Sequence, residues 1–376
     1  MNRKFILVIS ALIITLALVL TACNNGNNCK HTFSDKWSCD EEYHWRAATC
    51  EHKEEYADKS RHTFIDGVCN VCRYKTALDF ALSDDGLSYV VTGVDVKSVG
   101  VTVTIPESYN GKNVAAVGRG AFSGCESMLA VAVPPTVVSF GENAFEKCNK
   151  LEGVYIKDIS AWCRIGFTGL YSNPLYFAGK LYLNGVSVNN LVLPQDVVSI
   201  GNSAFSGCTS INKIIFPDSV KTIGSLAFRG CVNLEEAVIP SGVTSIGDGA
   251  FSGCSKLRSV ELRCEIEMIS NSLFAGCINL GRVILPDSVK YIGNSAFYGC
   301  ADLTELVLPR TIMEIGSRAL DGCGKLDRLY FKGSLNDWQN VDVSEYADLT
   351  VYVYSDEKPV GSGNFWHYVD GAPVVW

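Results

Sequence analysis

The stretch "SIGDGAFSGCSKLRSVEL", Ser245 to Leu262, decides the fold, because nearly every part of it returns at a fixed distance. Cys254 closes an A-F-x-G-C phrase 23 residues after Cys231 and 23 before Cys277. Cys125, Cys148, Cys208, Cys231, Cys254, Cys277, Cys300 and Cys323 keep that spacing except across one gap of 60. Other residues keep step with them. Pro194, Pro217, Pro240, Pro286 and Pro309 share one phase, as do the pairs beginning at Ile200, Ile223, Ile246, Ile292 and Ile315, each followed by glycine. Phe205, Phe228, Phe251, Phe274 and Phe297 each precede a cysteine by three. An L-x-x-[VIL]-x-[LIF] phrase begins three residues after Cys254, Cys277, Cys300 and Cys323, as in "LRSVEL" from Leu257 and "LTELVL" from Leu303, and has the period-2 ending of a short strand.

Self-similarity at such a period predicts a solenoid. Strands repeated at one phase stack in parallel about 4.8 Å apart, so eight cysteine-marked coils plus the gap region span roughly 50 Å. Proline after the strand phrase has no N–H to give and ends the ladder, and the glycine after each isoleucine permits the bend. A residue held at one phase lies in a column. In a buried column cysteine acts as a small hydrophobe with a weak S–H donor, and burial makes the thiol inert. Reactive thiols and disulfides between coils are the competing readings.

Phrases such as "IPSGVTSIGDGAFSGCSKLRSV" and "LPDSVKYIGNSAFYGCADLTEL" resemble the BspA-type leucine-rich repeats of bacterial surface proteins, from about Tyr89 to Tyr330. That resemblance implies a leucine-rich repeat solenoid of 23-residue coils with short parallel strands, mainly β, that binds other macromolecules. One coil departs from the pattern: Arg263 and Cys264 stand where proline and aspartate are expected, and Ser270 replaces the glycine, which predicts a local kink.

The ends of a solenoid need altered coils to hide their apolar faces. Residues 77–120 are expected to form the N-terminal cap and first coil, opening with a hairpin from Phe80 about Asp84-Asp85-Gly86. The repeats proper run over 121–331, with variant coils at about 155–190. Residues 332–376 form a C-terminal variant coil and an aromatic tail similar to one often found after such repeats. "YIKDISAWC" and "YFKGSLNDW" mark two related variant coils, whose Trp162 and Trp338 read as local core sooner than as ligand platforms.

Residues 1–22 are of another kind. Arg3 and Lys4 precede "FILVISALIITLALVL", a run too short for a spanning helix, which needs roughly 20 residues. "LTAC" at Leu20 to Cys23 resembles the bacterial lipobox, which implies cleavage before Cys23, a diacylglyceryl group on that cysteine and anchoring to the outer face of the cell membrane. A retained anchor is the alternative. Residues 23–28 fit a flexible tether. Without residues 1–22 the chain has 30 basic and 40 acidic residues and no basic stripe, which argues against nucleic acid as a partner.

Residues 29–76 gather four of the five histidines beside five cysteines: Cys29-x-His31, Cys39, His44, Cys50-x-His52, His62 and Cys69-x-x-Cys72. Two thiolates of a C-x-x-C knuckle reach one tetrahedral ion, and imidazoles complete the set. His62, Cys69 and Cys72 are the strongest candidates for structural zinc, with Cys29, His31, His44 and Cys50 able to complete that site or form another. So small a segment needs a staple to fold. Disulfides would supply one in an exported protein but leave one of five thiols odd. A disordered stalk is the third reading. The module also resembles Cys/His-rich modules found beside such repeats in clostridial-type surface proteins.

No catalytic motif stands out in the sequence, although stacked coils bring residues 23 apart side by side and leave paired carboxylates open as an alternative. No G-x-S-x-G elbow, H-E-x-x-H helix or complete phosphate loop occurs, and His367 is the only histidine outside the cluster. The expectation is therefore a non-enzymatic surface lipoprotein that binds a protein or glycan partner. Outward strand positions give a mostly apolar column, Ala132, Tyr155, Ile215, Val238, Glu261, Ile284, Val307 and Tyr330, flanked by charges that include Arg282 and Arg328; Tyr155, Ile215, Ile284, Val307 and Tyr330 are its candidate contacts. Cover by a tail is the alternative for that strip. The rival function is carbohydrate binding or processing through the aromatic C-terminal region, with Trp338, Trp366, Tyr368 and Trp376 stacking on sugar rings.

Overall fold

The computed structural model describes residues 31–376 apart from 41, 50–54, 66, 96–100, 170, 344–349, 361–362 and 371. The leader at 1–22, Cys23, the tether at 23–28, Cys29 and Cys50 lie outside the described residues.

Repetition of the strand phrase builds a mainly β solenoid. Asn190–Val192, Lys213–Ile215, Glu236–Ile239, Ser259–Leu262, Arg282–Ile284, Glu305–Leu308, Leu329–Phe331 and Val351–Tyr354 line up in one sheet in that order, all parallel. The register is that of the repeat: Lys213 faces Glu236, Ser259 faces Arg282 and Arg282 faces Glu305. Two further strands, Phe365–Val369 and Ala372–Val375, close the sheet as an antiparallel hairpin. An N-terminal sheet repeats the arrangement with Thr102–Thr104, Ala130–Val133, Gly153–Ile156 and Leu181–Leu183.

The core is a set of columns. Phe205, Phe228, Phe251, Phe274 and Phe297 stack with ring centroids 5.4 to 6.0 Å apart, an offset-stacking distance for aromatic rings. Beside them the thiols form the inert ladder expected from their spacing. Cys125, Cys148, Cys208, Cys231, Cys254, Cys277 and Cys300 are fully buried. Each Sγ–H from Cys231 onward donates to the phenylalanine carbonyl of the coil before, for example Cys254 to Phe228 at 3.2 Å and Cys277 to Phe251 at 3.2 Å. Burial pushes the Cys148 and Cys254 thiols up to about 12, so none is a thiolate near neutral pH.

The glycine after each isoleucine has a different reason from the one expected. Gly224 and Gly293 are not in the left-handed region; a Cβ there would lie 2.6 Å from the Asn202 nitrogen and 2.7 Å from the Asn271 nitrogen. Glycine is needed because the backbones of adjacent coils approach each other. Ser270 breaks that rule, and the small second ladder breaks with it. The strands at Ser199–Ile200, Thr222–Ile223 and Ser245–Ile246 form one sheet, and Met268–Ile269 starts another with Tyr291–Ile292 and Glu314–Ile315. The main sheet runs on, so the departure interrupts one edge only.

Both variant coils carry a short helix, Ile159–Cys163 capped by Asp158 and Leu335–Trp338 capped by Ser334. Trp162 is buried, with its Nε1–H on the Ala204 carbonyl at 2.8 Å. At the N-terminal end Leu78–Leu82 pairs with Tyr89–Val94 as an antiparallel hairpin.

The Cys/His-rich segment is a small all-β unit. β1 (Ser38–Cys39), β2 (Tyr43–Ala47) and β3 (Tyr56–Arg61) make one antiparallel sheet, and β4 (Phe64–Ile65) pairs with β5 (Val68–Cys69). Arg61 with Glu107, Lys157 with Glu42, and the Asn110 N–H on the Phe64 carbonyl at 2.8 Å seat it on the first coils.

Candidate functional site

Four side chains from three parts of the N-terminal unit converge. β2 supplies His44, the turn after β3 supplies His62, and the knuckle beginning at β5 supplies Cys69 and Cys72. One ligand atom of each lies within 4.8 Å of the other three. His62 Nδ1 is 3.5 Å from Cys72 Sγ, and His44 Nδ1 is 3.6 Å from Cys69 Sγ. In a tetrahedral site with Zn–S of about 2.3 Å and Zn–N of about 2.0–2.1 Å, the S···N edge is about 3.6 Å. The spacing therefore suits an ion at the centre.

The surroundings orient these ligands. His62 Nε2 is 2.8 Å from the Asp40 carbonyl, which only accepts, so Nε2 carries the proton and Nδ1 faces the sulfurs with a lone pair. His44 Nε2 is 2.8 Å from Ser60 Oγ, which lies across the ladder from it. Backbone N–H groups of Val71 and Tyr74 donate to Cys69 Sγ at 3.4 Å and Cys72 Sγ at 3.5 Å. Burial, and then the His62 ring beside it, holds His44 below its ordinary value and favours the neutral ring that a metal needs. Burial pushes the Cys69 thiol up, but the Cys72 N–H, the His62 ring and the Val71 N–H outweigh it and bring it down to about 7. Cys72 is pushed up to about 12, by burial first and then by the sulfurs of Cys69 and Cys39 beside it. One thiol gives up its proton readily and the second resists beside the first, a repulsion that a divalent cation removes.

The predicted ligands thus fall into three groups. His62, Cys69 and Cys72 come together with His44 as the fourth partner. His31 stands outside the set and lies beside Phe33, ring centroids 6.4 Å apart. Cys29 and Cys50 are outside the described residues.

The outward strand column is bare in the middle and covered at one end. Val192, Ile215, Val238 and Ile284 are 58%, 47%, 36% and 39% exposed. Tyr155, in the N-terminal sheet, stacks on Tyr182 with centroids 4.5 Å apart. Val307 and Tyr330, expected on the free surface, are buried. The C-terminal hairpin folds its Trp366 against them, with Tyr352, Tyr354 and Val375 packed around. Of the flanking charges, Arg282 pairs with Glu305 at 3.2 Å, and Arg328 lies over the Tyr352 ring at 5.8 Å. Val192 was not singled out in the sequence, although it lies 23 residues before Ile215 at the same phase.

The same hairpin removes Trp366 from the proposed sugar platform but leaves Tyr368 and Trp376 at the surface, 37% and 38% exposed. Trp366 is fully buried and donates Nε1–H to the Phe331 carbonyl at 3.0 Å, and Trp338 packs on Phe331 at 5.2 Å. Trp376 stacks on His367 at 3.6 Å, and Tyr368 meets Trp366 edge-on at 4.8 Å. A shallow groove of about 430 Å³ along the Ile-Gly ladder is lined by Ser199, Asn202, Thr222, Ser225 and Ser245, with no imidazole, thiol or carboxylate among its lining residues. No helix among the described residues is long and apolar enough to cross a membrane.

Among solved structures, a leucine rich cell surface protein from Faecalibacterium prausnitzii aligns at 21% identity over 72% of this chain and 97% of its own, with a TM-score of 0.31. A leucine rich repeat protein of T. pallidum aligns at 25% over 66% and 88%, TM-score 0.34. The pneumococcal vaccine antigen PcpA aligns at 17% over 86% and 95%, TM-score 0.43. No curated protein matches the chain. The family described as "BspA type Leucine rich repeat region" matches in six copies over residues 102–165, 178–300 and 267–352. With the 23-residue coils, parallel ladder and phenylalanine column in place, that match shows that the chain belongs to the BspA-type leucine-rich repeat family.

Proposed function

We propose that this chain is a non-enzymatic bacterial surface lipoprotein whose solenoid binds another macromolecule, in adhesion or protein–protein interaction. The observation that carries this reading is the uncovered, mostly apolar column Val192, Ile215, Val238 and Ile284, crossed once by the exposed Glu261 that pairs with Arg263, and rimmed by the ion-paired Lys213–Glu236 and Arg282–Glu305. An apolar line with a charged rim is the anatomy of a binding face. The chain's own tail treats the same column as a binding surface, since Trp366 occupies it at Val307 and Tyr330. Ile215 and Ile284 are the central contacts, with Tyr155, Arg282 and Arg328 at the margins.

The rest of the chain supports presentation of that face. The "LTAC" phrase supports processing before Cys23 and a lipid anchor, with residues 24–28 as tether. His44, His62, Cys69 and Cys72 support structural zinc. Four protein ligands fill a tetrahedral ion and leave no open position, so the metal would fold the unit and carry no chemistry.

An Ile215→Arg/Ile284→Arg variant tests the face, with native protein as reference, against panels of extracellular proteins and of glycans. Retention of fold with loss of a protein ligand supports the reading. Unchanged affinity for that ligand, or ligands found only among the glycans, refutes it.

A further inference from the structure

The face of the β2–β3 hairpin opposite His44 carries a second constellation. Strand alternation sends Tyr43 and Trp45 to the side away from the metal-ligating ring. Tyr43 pairs across the ladder with Arg61, and Ala47 with Tyr56, so Tyr56 belongs to the same side. Lys59 is three residues from Tyr56, and in a regular strand that odd spacing would send it to the other face. The register instead shifts between His44 and Arg46, where Asp58 takes a left-handed conformation with φ of 54°. The extra residue of this bulge brings Lys59 back beside the aromatic rings.

The result is an aromatic cage around a cation. Lys59 Nζ lies 4.7 Å from the centroid of Tyr43, 4.9 Å from Tyr56 and 5.7 Å from Trp45, all within the range of cation–π attraction. Lys59 forms no ion pair among the described residues, while Arg46, Arg61 and Lys157 around it each hold a carboxylate. Its charge is met by ring faces. Tyr56 is 40% exposed, so the cage opens to solvent.

A site that meets a cation with three ring faces, its neighbouring carboxylates already paired to Arg46, Arg61 and Lys157, suits a cation that has no N–H to donate. A quaternary ammonium is that cation: weakly hydrated, apolar on its surface and unable to use a hydrogen-bonding partner. We propose that Tyr43, Trp45 and Tyr56 form a binding site for a trimethylammonium group, with Lys59 as the occupant that such a ligand displaces. The bulge at Asp58 builds the cage, and a locally disfavoured backbone conformation kept at that point is the kind of feature that accompanies binding sites.

Saturation-transfer NMR on the N-methyl protons of tetramethylammonium and of choline, titrated into the purified full-length protein, tests this. The expected result is saturable binding in the millimolar range. Lys59→Ala should tighten it by about fivefold or more, because the competing ammonium is gone, and Tyr56→Ala should weaken it by about tenfold. 3,3-dimethylbutan-1-ol, the uncharged isostere of choline, should bind more weakly than choline. The proposal is overturned if native protein gives no saturable transfer, if only the Lys59→Ala protein binds, or if Tyr56→Ala binds as tightly as native with an unchanged circular dichroism spectrum. Lys59→Ala has the opposite expected sign and keeps the test decisive where Tyr56→Ala fails to fold.

Discussion

Replacing Trp366 by alanine should detach the C-terminal cap while leaving the solenoid standing. The indole is fully buried, meets Tyr354 at 5.1 Å and Tyr330 at 5.4 Å between centroids, and donates to the Phe331 carbonyl at 3.0 Å. Truncating a buried Trp to Ala costs about 3–5 kcal/mol, and the Phe331 carbonyl loses its side-chain donor as well. In a stack where each coil touches only its neighbours, that loss stays local. At about 1.4 kcal/mol per tenfold, protection of amides in 351–375 should fall by roughly a hundredfold to a few thousandfold. Hydrogen exchange read by mass spectrometry resolves this by peptide. Peptides spanning 205–300 should keep native protection, and Val307 and Tyr330 should join the accessible strip. An equal loss of protection over 205–300, or none in 351–375, would refute the local-cap argument.

The purified protein should carry about one zinc per chain by elemental analysis, and Cys72→Ser should abolish it; intact metal-free protein with disulfides in residues 29–76 would end the zinc proposal. The sign of its pH dependence follows from His44, whose folded value lies below 6.5 because of burial and the neighbouring His62 ring. The neutral ring is favoured in the folded unit, so its contribution is complete above 6.5 and declines as pH falls through and below that value, which amide exchange in 43–61 would follow. The ladder thiols from Cys125 to Cys323 should be silent to Ellman's reagent until the solenoid unfolds, since burial holds them up; rapid reaction of the native repeats would contradict the inert ladder. Gly224→Ala should lower the urea midpoint by an amount equivalent to about 1–3 kcal/mol, because its new Cβ would meet backbone 2.6 Å away. Gly281→Ala has open space around it and should be close to neutral or slightly stabilising.

What the residues decided by themselves is everything that repeats. A period of 23 leaves a chain little choice but to stack, and at constant phase Cys254, Phe251 and Leu257 find their own copies one coil away, which is why ladder, sheet and family were legible without coordinates. The C-x-x-C knuckle was legible for a similar reason, because two ligands three residues apart reach one ion through local geometry alone. Where contacts join segments that share no period, the sequence was silent. That His44 and not His31 completes the cluster depends on β2 pairing with β1 and β3. That Trp366 lies under the surface, and takes Val307 and Tyr330 with it, depends on a hairpin turning back over the strand column. The cage around Lys59 depends on one extra residue in β3, which reverses side-chain parity, and no pattern of residue types marks a bulge at Asp58. Periodic contacts are written into spacing; contacts between non-repeating segments exist only once the chain has folded.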